Sequence, residues 1–394
     1  MRLVVKFGGT SLGSGSRVDR AADSIEQAVR AGHEVAIVAS AMGSMTDELL
    51  DGIEFDATTA NQAEIVSMGE RISVRMLKAA LESRNVDARF LEPGAEDWPI
   101  LTDEHGEVAV PATKARASDL AETLSTSVPV ITGFLAEGPD GQITTLGRGG
   151  SDTTAMMLGN YMSADEVIIV TDVEGVMTGD PRVVEGARNV GEISVDELRN
   201  LTFRGAEVIA PSALSYKTAR MNVRVIHYQH NDLLTGGTRI EGEFRNLIDL
   251  REQPLACLTV AGRAIRNQRG VLARLANELA EHDVNVDGVA SGMDSISFYV
   301  DSEDAQRAET VLHGTVVSDE VLSSITLEDG VAAVRVTGGE LPTQPGALRS
   351  IINPLSDAHI RIHDVITSAT SISLFVDWDD GERTLGIVQD VFGD

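Results

Sequence analysis

The feature that most constrains the fold is an alternation of short apolar runs with longer amphipathic segments over residues 1–230. The apolar runs have the length and composition of buried strands, and they are Leu3–Phe7, Glu34–Ser40, Val128–Leu135 and Glu166–Thr171. Between them, Arg17–Arg30 and Asn61–Glu82 carry apolar residues at helical spacing. The alternation predicts an α/β domain with a mainly parallel sheet sandwiched by helices. Ligands of such sheets bind beyond the carboxyl ends of the strands, where the glycine-rich segments of this chain fall.

An internal repeat near the carboxyl terminus predicts two further small domains. Gly270 aligns without a gap with Gly346, an offset of 346 − 270 = 76 residues, and Ser295–Ser297 aligns with Ser371–Ser373 at the same offset. Each copy has the order strand, helix, strand, strand, helix, which predicts an α+β unit with helices on one sheet face. Chance similarity is the alternative. The predicted domains are 1–230, a polar linker at 231–254, then 255–325 and 326–394.

Charge and composition exclude several classes of protein. The chain has 32 Lys and Arg against 61 Asp and Glu, a net charge of −29 spread along its length, which argues against binding nucleic acid or an anionic membrane. It has neither a signal-like start nor an apolar run approaching the ~20 residues of a membrane span, so we expect a cytoplasmic protein. Molar salt screens such self-repulsion, which predicts a halophilic source; an acidic mesophilic protein is the alternative. The lone Cys257 and eight scattered histidines show no metal-ligand spacing, so no metal site is predicted.

The first candidate phosphate-binding segment is Lys6–Ser11 (KFGGTS), directly after the first predicted strand. Glycines let backbone N–H groups approach a phosphate, and a following helix N-terminus favours its charge. The lysine precedes the glycines, unlike the lysine of a P-loop, so it would project from the strand end over the loop. A structural ion pair of Lys6 is the alternative.

A second glycine-rich segment is Leu146–Thr154 (LGRGGSDTT), in which Arg148 could hold a carboxylate with two hydrogen bonds. The alternative is an ordinary helix start capped by Ser151 or Asp152. Further segments place polar residues after strands or near helix starts, with capping, a turn or solvation as the alternative for each: Ser40–Asp47 (SAMGSMTD), Ser67–Arg71 (SMGER) and Thr171–Arg182 (TDVEGVMTGDPR).

Taken together, these segments resemble the aspartate kinase family of the amino acid kinase superfamily, in their order and approximate spacing. KFGGTS is specific for that family, and GRGGSD supports it. The repeat is similar to the paired ACT domains of the family, so the resemblance covers nearly the whole chain. It implies transfer of the γ-phosphoryl group of ATP, with Mg²⁺, to the β-carboxylate of L-aspartate. The product, 4-phospho-L-aspartate, leads towards lysine, threonine and methionine.

The resemblance also implies roles for individual residues. The expected catalytic residues are Lys6, which neutralises charge on the moving phosphoryl group, and Asp152, which orients Lys6. The nucleotide would contact Lys6, Phe7, Gly8, Gly9, Thr171, Asp172, Met177, Thr178, Asp180 and Arg182. Aspartate would contact Ser11, Ser40, Thr46, Glu70, Arg148, Gly149, Gly150 and Ser151. Among these, Arg148 would bind the α-carboxylate and Glu70 the ammonium group.

Two residues depart from the family pattern. Glu207 stands where the family segment FGAKVLHP has a lysine, which Arg204 or Lys217 could replace. Met177 stands where a nucleotide-stacking tyrosine is common. The alternatives to an aspartate kinase are therefore a catalytically weak, amino-acid-sensing regulatory subunit and a kinase of another small amino acid, such as glutamate.

ACT domains commonly bind amino acids between paired copies, so the resemblance implies a feedback effector, lysine or threonine, and a homo-oligomer formed through these domains. The expected effector residues lie in one loop and on one strand of the first copy: Asn267, Gly270, Val271, Asn285, Val286 and Asp287. A dimerisation module without an effector is the alternative. The segment before the first copy is short for this family, which leaves open whether the copies exchange a strand.

Overall fold

The computed structural model describes residues 1–202, 208–263, 265–338, 346–368 and 370–392. The chain divides into two compact units, Met1–Phe244 and Arg245–Asp394. In the ranges just given, no helix is long and apolar enough to cross a membrane.

The first unit is built on the mainly parallel sheet that the alternation predicted. Its strands are β1 (Arg2–Phe7), β2 (Glu34–Ala39), β3 (Ala88–Leu91), β4 (Val128–Thr132), β5 (Leu135–Glu137), β6 (Ile143–Thr145), β7 (Glu166–Thr171), β8 (Glu192–Ser194), β9 (Asn222–His227) and β10 (Thr238–Glu241). They are ordered β3-β4-β2-β1-β7-β9-β10-β8, and every pair from β3 to β9 is parallel. β5 and β6 form a separate antiparallel pair, so the run predicted at Val128–Leu135 is two strands that separate at Gly133.

Helices cover both faces of this sheet. They are α1 (Gly15–Arg30), α2 (Met45–Asp51), α3 (Thr59–Glu82), α4 (Val110–Glu122), α5 (Gly150–Tyr161), α6 (Val195–Thr202) and α7 (Pro211–Leu214). Because strand side chains alternate between faces, Val5 joins a core with α1 while Val4 joins a core with α5. The two helices predicted from apolar spacing, α1 and α3, each begin two residues earlier than predicted.

The second unit is a duplicated α+β structure. Its elements are β11 (Leu247–Leu250), β12 (Leu255–Gly262), α8 (Val271–Glu281), β13 (Gly288–Ser291), β14 (Ser295–Asp301), α9 (Ala305–Ser318), β15 (Leu322–Thr337), α10 (Ala347–Asp357), β16 (Ile362–Thr367), β17 (Ser371–Asp377) and α11 (Gly381–Phe392). α8 and α10 start 347 − 271 = 76 residues apart, and so do β14 and β17 (371 − 295). The repeat offset read from the sequence is therefore kept in three dimensions.

The two copies of the repeat exchange a strand. The first half of β15 pairs with β12 of the first copy, and its second half pairs with β17 of the second copy. β11 lies antiparallel to that second half, with Leu247 opposite Thr337 and Leu250 opposite Val334. A strand that precedes the first copy thus completes the second.

The linker predicted at 231–254 is corrected by these strands. β10 belongs to the sheet of the first unit and β11 to that of the second. Both strands are only four residues long, and their sequences TRIE and LIDL mix polar with apolar residues. Such strands lack the apolar run by which buried strands were predicted.

Strand residues from both copies form a third apolar cluster, apart from the two cores that include the helices. Tyr299 stacks on Phe375 with ring centroids 3.8 Å apart, and the two positions differ by the repeat offset, 375 − 299 = 76. The pairs Leu255 with Val331 and Cys257 with Ala333, at the same offset, join this buried cluster.

Candidate active site

The polar and glycine-rich segments meet at the carboxyl edge of the parallel sheet. Phe7 at the end of β1 lies opposite Ala39 of β2 and Val170 of β7. Beyond the strands, the N–H of Gly8 donates to the carbonyl oxygen of Val170 (3.0 Å), and the N–H of Ser40 donates to that of Phe7 (3.1 Å). The loops therefore start from fixed positions on adjacent strands.

Lys6 and Asp152 form an ion pair at this edge. Nζ of Lys6 lies 2.6 Å from Oδ1 of Asp152, and both side chains are nearly buried, at 12% and 13% exposed. Oδ2 of Asp152 accepts a hydrogen bond from the N–H of Ala210 (3.1 Å). A Cβ at Gly8 would stand 3.5 Å from Nζ, so the ammonium group lies over the loop as the sequence predicted. The ion pair named as the alternative is present, and it lies beside the predicted phosphate-binding loop.

Gly9 joins the first loop to the loop after β2. A Cβ at this position would stand 2.8 Å from the carbonyl oxygens of both Ala41 and Gly43, and the N–H of Gly43 donates to the carbonyl of Gly9 (2.9 Å). A larger residue would separate the KFGG and SAMG segments, which the sequence alone could not place together.

Ser11 has a structural partner. Its hydroxyl is buried and donates to the carbonyl of Val170 at 3.1 Å. The side chain thereby fixes the first loop to the end of β7. The expectation that Ser11 also contacts the substrate stays a prediction.

The second glycine-rich segment forms the N-terminus of α5. Gly149 is the N-cap, with φ of +76°, and makes no side-chain cap. A Cβ there would stand 2.2 Å from Cβ of Ala210, so close approach and backbone conformation both require glycine. Capping by Ser151 or Asp152 is wrong, because Asp152 is engaged by Lys6 and Oγ of Ser151 lies against Gly133. An uncapped helix N-terminus attracts anions.

Arg148 is exposed beside this helix start. Within the described part of the chain, its guanidinium makes no hydrogen bond or ion pair. Gly147 and Gly149 on either side have φ of +73° and +76°, while Gly150 packs against Phe134. The loop thus fixes the backbone of Arg148, and its guanidinium donors point to no group among the described residues.

Glu70 is a buried carboxylate on α3, only 3% exposed. Oε1 accepts a hydrogen bond from the N–H of Ala41 (3.2 Å), while Oε2 is buried and has no partner among the described residues. Burial raises the pKa of Glu70 to about 7, and the N–H of Ala41 opposes this only in part. A cationic ligand would supply the partner that this oxygen lacks.

The loop after β2 lies directly on this part of α3. A Cβ at Gly69 would stand 2.7 Å from Cβ of Ala41, so the helix and the loop touch. Ser40 begins the loop, and Thr46 is the second residue of α2; both are partly exposed. In the sequence, these two predicted substrate residues lie on either side of Ala41, whose N–H donates to Glu70.

The residues predicted to contact the nucleotide follow β7. Thr171 is the last residue of that strand and Asp172 follows it, and the hydroxyl of Thr171 donates to Asp172 (3.3 Å). Met177 pairs with Asn189 in an isolated bridge, and Thr178 is bonded twice to the backbone of Arg188. Asp180 and Arg182 are paired with each other at 3.0 Å, and this guanidinium lowers the pKa of Asp180. Both are exposed, so a nucleotide could reach them.

Lys217 does not replace the missing lysine. Its side chain is buried and Nζ donates to the carbonyls of Thr218 (2.9 Å) and Gly242 (2.7 Å). It shares a cavity with Glu166 and Asn222, the first residues of β7 and β9, and hence lies at the edge opposite the site. The other candidate, Arg204, and Glu207 itself lie outside the described residues.

Sequence reasoning missed three features of the site. Ala210 supplies the N–H that fixes Asp152. Phe134 has φ of +68° and its ring lies against Gly150. Thr132, at the end of β4, has a buried hydroxyl without a partner in the described ranges. Positive φ and backbone donors leave no residue pattern, but a strand ending in Thr-Gly-Phe could have indicated Thr132.

The predicted effector residues lie in the first copy of the second unit. Gly270 is the N-cap of α8 with φ of +80°, and Val271 is buried at its first turn. Asn267 and Asn285 are exposed and Val286 is half-buried. Oδ2 of Asp287 lies 3.5 Å from Nε of Arg251. Asp287 thus pairs with a cation of the chain, and its expected role towards an effector stays a prediction.

Comparison with known proteins agrees with this arrangement. The sequence model of the amino acid kinase family matches residues 1–227, and two ACT domain models match 258–316 and 326–390. Aspartokinase 2 of Bacillus subtilis is 32% identical, over 99% of this chain and 97% of that protein.

Two solved aspartate kinases have similar folds. The crystal structure of the Synechocystis enzyme has a TM-score of 0.82 at 25% identity, covering all of this chain and 69% of that one. Aspartokinase III of E. coli, in a complex with aspartate and ADP, has a TM-score of 0.55 at 24% identity, with each chain fully covered. The same enzyme has also been crystallised with lysine and aspartate, with a TM-score of 0.53.

Proposed function

Because this chain belongs to the aspartokinases of the amino acid kinase family, it is an aspartate kinase, and we propose how its residues divide the reaction. The reaction moves the γ-phosphoryl group of ATP to the β-carboxylate of L-aspartate. That carboxylate is ionised at neutral pH, so the step needs no general base. Catalysis consists of positioning the two reactants and neutralising charge on the transferred group.

The ion pair of Lys6 with Asp152, beside the uncapped N-terminus of α5, is the observation that carries this assignment. Lys6 neutralises the transferred phosphoryl group, since a fixed cation is most effective where water is largely excluded. Asp152 holds Lys6 in place and is itself held by Ala210. The N–H group of Gly9 and the start of α5 complete the phosphate site, while the N–H of Gly8 holds the loop on Val170 of β7.

Aspartate is assigned to the space between α5 and α3. Among the described residues, the guanidinium of Arg148 and Oε2 of Glu70 have no partner. The guanidinium suits the α-carboxylate of aspartate, and Oε2 suits its ammonium group. Ser40 and Thr46 supply hydroxyls nearby, and Ser11 acts through the loop.

The nucleotide is assigned to the segment after β7, from Thr171 to Arg182. ATP enters as its Mg²⁺ complex. Asp152 is already engaged by Lys6 and Ala210, so we assign Mg²⁺ to the phosphates and water, with the exposed carboxylate of Asp172 as the protein group available to it. E. coli aspartokinase III was crystallised with ADP, which supports an adenine nucleotide as the ligand.

The test is aspartate-dependent ADP release by Lys6→Met, measured in molar KCl. We expect kcat to fall by about 10²–10³, the usual cost of removing a group that stabilises developing charge. Lys114→Met, on the exposed face of α4, is the matched control and should keep full activity. A melting curve for each variant checks folding, and Lys6→Met combined with Asp152→Asn avoids leaving an unpaired carboxylate. Full kcat in a folded Lys6 variant contradicts the assignment.

The acceptor and the effector are tested in the same assay. We expect turnover with aspartate and none with glutamate. We propose that residues 255–325 and 326–394 form effector-binding and oligomerising domains after a catalytic domain at 1–230, with lysine or threonine as the effector. Suppression by one of them, weakened in Asn285→Ala and unchanged in Lys114→Met, supports the effector site. Equal inhibition of wild type and Asn285→Ala would remove that strand from it.

A further inference from the structure

The second unit contains one three-residue cluster built twice by the repeat. In the first copy, Asp287 and Asp301 both form ion pairs with Arg251. The N–H of Arg251 donates to the carbonyl of Ala333, which lies in the second half of β15. Adding the offset of 76 to the two aspartates gives His363 and Asp377, which meet Glu328. Glu328 lies opposite Cys257, and Cys257 and Ala333 also differ by 76. Arg251 and Glu328 therefore occupy equivalent places.

The first cluster has a permanent cation at its centre. Nη2 of Arg251 lies 2.5 Å from Oδ1 of Asp301, and Nε lies 3.5 Å from Oδ2 of Asp287. The guanidinium neutralises both carboxylates, so this cluster has no vacancy for another cation.

The second cluster has a histidine and two carboxylates instead. Nε2 of His363 lies 2.9 Å from Oδ1 of Asp377, and Nδ1 lies 3.3 Å from Oε2 of Glu328. The imidazole is 5% exposed, whereas both carboxylates are 47% exposed and open to solvent. His363 lies at an irregularity in the pairing of β16 with β17, and such bulges re-aim a side chain.

We propose that Glu328, His363 and Asp377 bind one divalent transition-metal ion. Their ligand atoms all lie within 4.8 Å of one another. Ligands bonded to one ion at about 2.0–2.2 Å stand at most roughly 4.4 Å apart, so a small movement of the exposed carboxylates closes the set. The imidazole selects Zn²⁺ or a similar ion over Mg²⁺, which prefers oxygen ligands alone.

The surroundings of the cluster resemble the outer shell of a metal site. Nη1 of Arg361 donates to Oε1 of Glu328 at 3.1 Å. The other oxygen, Oε2, faces His363. Ligating carboxylates are commonly held in this way. The three ligands come from β15, β16 and β17, so a bound ion would join the strand that runs between the copies to the second copy. They are 35 and 14 residues apart (363 − 328 and 377 − 363), which is why no short ligand motif occurs in the sequence.

The test is equilibrium binding of Zn²⁺ to the full chain by titration calorimetry, in KCl with Mg²⁺ in excess. We expect one Zn²⁺ per chain. His363→Asn and Asp377→Asn should each weaken it by more than about tenfold, which is the lower end of the loss caused by changing only an outer-shell partner. Asp287→Asn, at the equivalent position in the first copy, is the matched control and should leave binding unchanged. Co²⁺ provides a second probe through its visible absorption.

Three results would overturn the proposal. These are no one-to-one Zn²⁺ binding to the wild type, undiminished binding by a folded His363→Asn, and equal weakening by Asp287→Asn. Any of them would make the cluster a hydrogen-bonded group of one imidazole and two carboxylates, or place Zn²⁺ on the acidic surface. Asp377→Asn alters a half-exposed side chain, so it provides the test if His363→Asn does not fold.

Discussion

Replacing Glu70 by glutamine should stabilise the protein while impairing its activity. The carboxylate is buried and one of its oxygens has no partner in the described structure. Glutamine keeps an oxygen for the N–H of Ala41 and removes the charge. It also removes the anion that we assign to the ammonium group of aspartate.

The expected gain in stability of Glu70→Gln follows from the pKa of Glu70. In the folded chain the carboxyl holds its proton up to about pH 7, against 4.5 for its ordinary value. As pH rises, the Glu70 carboxyl loses its proton in the unfolded chain before it does so in the folded chain. The free energy of unfolding therefore falls between about pH 4.5 and pH 7 and stays constant above. One pKa unit corresponds to about 1.4 kcal/mol, so ionised Glu70 costs roughly 3 kcal/mol at pH 8. The cost at pH 5.5 is roughly 1.4 kcal/mol by the same relation.

The assay is urea unfolding of wild type and Glu70→Gln at pH 5.5 and pH 8. Trp98 lies in the first unit and Trp378 in the second, so a Trp378→Phe background makes fluorescence report the first unit. We expect the variant to gain about 2 kcal/mol more at pH 8 than at pH 5.5. Its KM for aspartate should rise at least about tenfold, as expected for loss of a charged hydrogen bond.

Glu82→Gln, on the same helix, is the control. Glu82 is half-exposed and pairs with Lys78 at 2.8 Å, so its loss should cost at most about 0.5 kcal/mol at either pH. The reasoning about Glu70 fails if Glu70→Gln gains no stability at pH 8, or if its gain is the same at both pH values. A gain in stability with unchanged KM for aspartate would support the energetic cost of the buried charge but exclude Glu70 from the aspartate site.

Three further outcomes are expected. Arg148→Ala should raise KM for aspartate at least about tenfold, yet change stability by no more than about 0.5 kcal/mol, because the side chain is exposed and unpartnered in the described chain; a large loss of stability would contradict this. Tyr299→Phe removes the hydroxyl that donates to Asp364 at 2.5 Å and should cost the second unit about 1–3 kcal/mol in urea unfolding, with Trp98 fluorescence unchanged. The net charge of −29 predicts a melting temperature that rises from low to molar KCl, and equal stability across that range would exclude a halophilic adaptation.

Much of the fold could be predicted because its signals are local. β7 matches its apolar run, and α1 and α3 miss only the first turn. The positions of the loops followed from one topological fact, that parallel strands bring their carboxyl ends to one edge. What failed was chemistry that depends on contacts distant in sequence. The resemblance implied that Asp152 orients Lys6, but no pattern indicated that the N–H of Ala210 also binds Asp152. Lys217, a candidate to replace the missing lysine, lies at the opposite edge.

The repeat shows the same limit more sharply. An offset of 76 residues predicted two equal copies, and β14 and β17 keep that offset. The strand that completes the second copy, β11, precedes the first copy and carries only four residues, so no local pattern could assign it. That exchange also brings Arg251 to one cluster, while β15 brings Glu328 to the other. Two copies with one fold thus differ in charge at equivalent places, partly because His363 replaces Asp287 at the repeat offset and partly because Arg251 and Glu328 come from different parts of the chain.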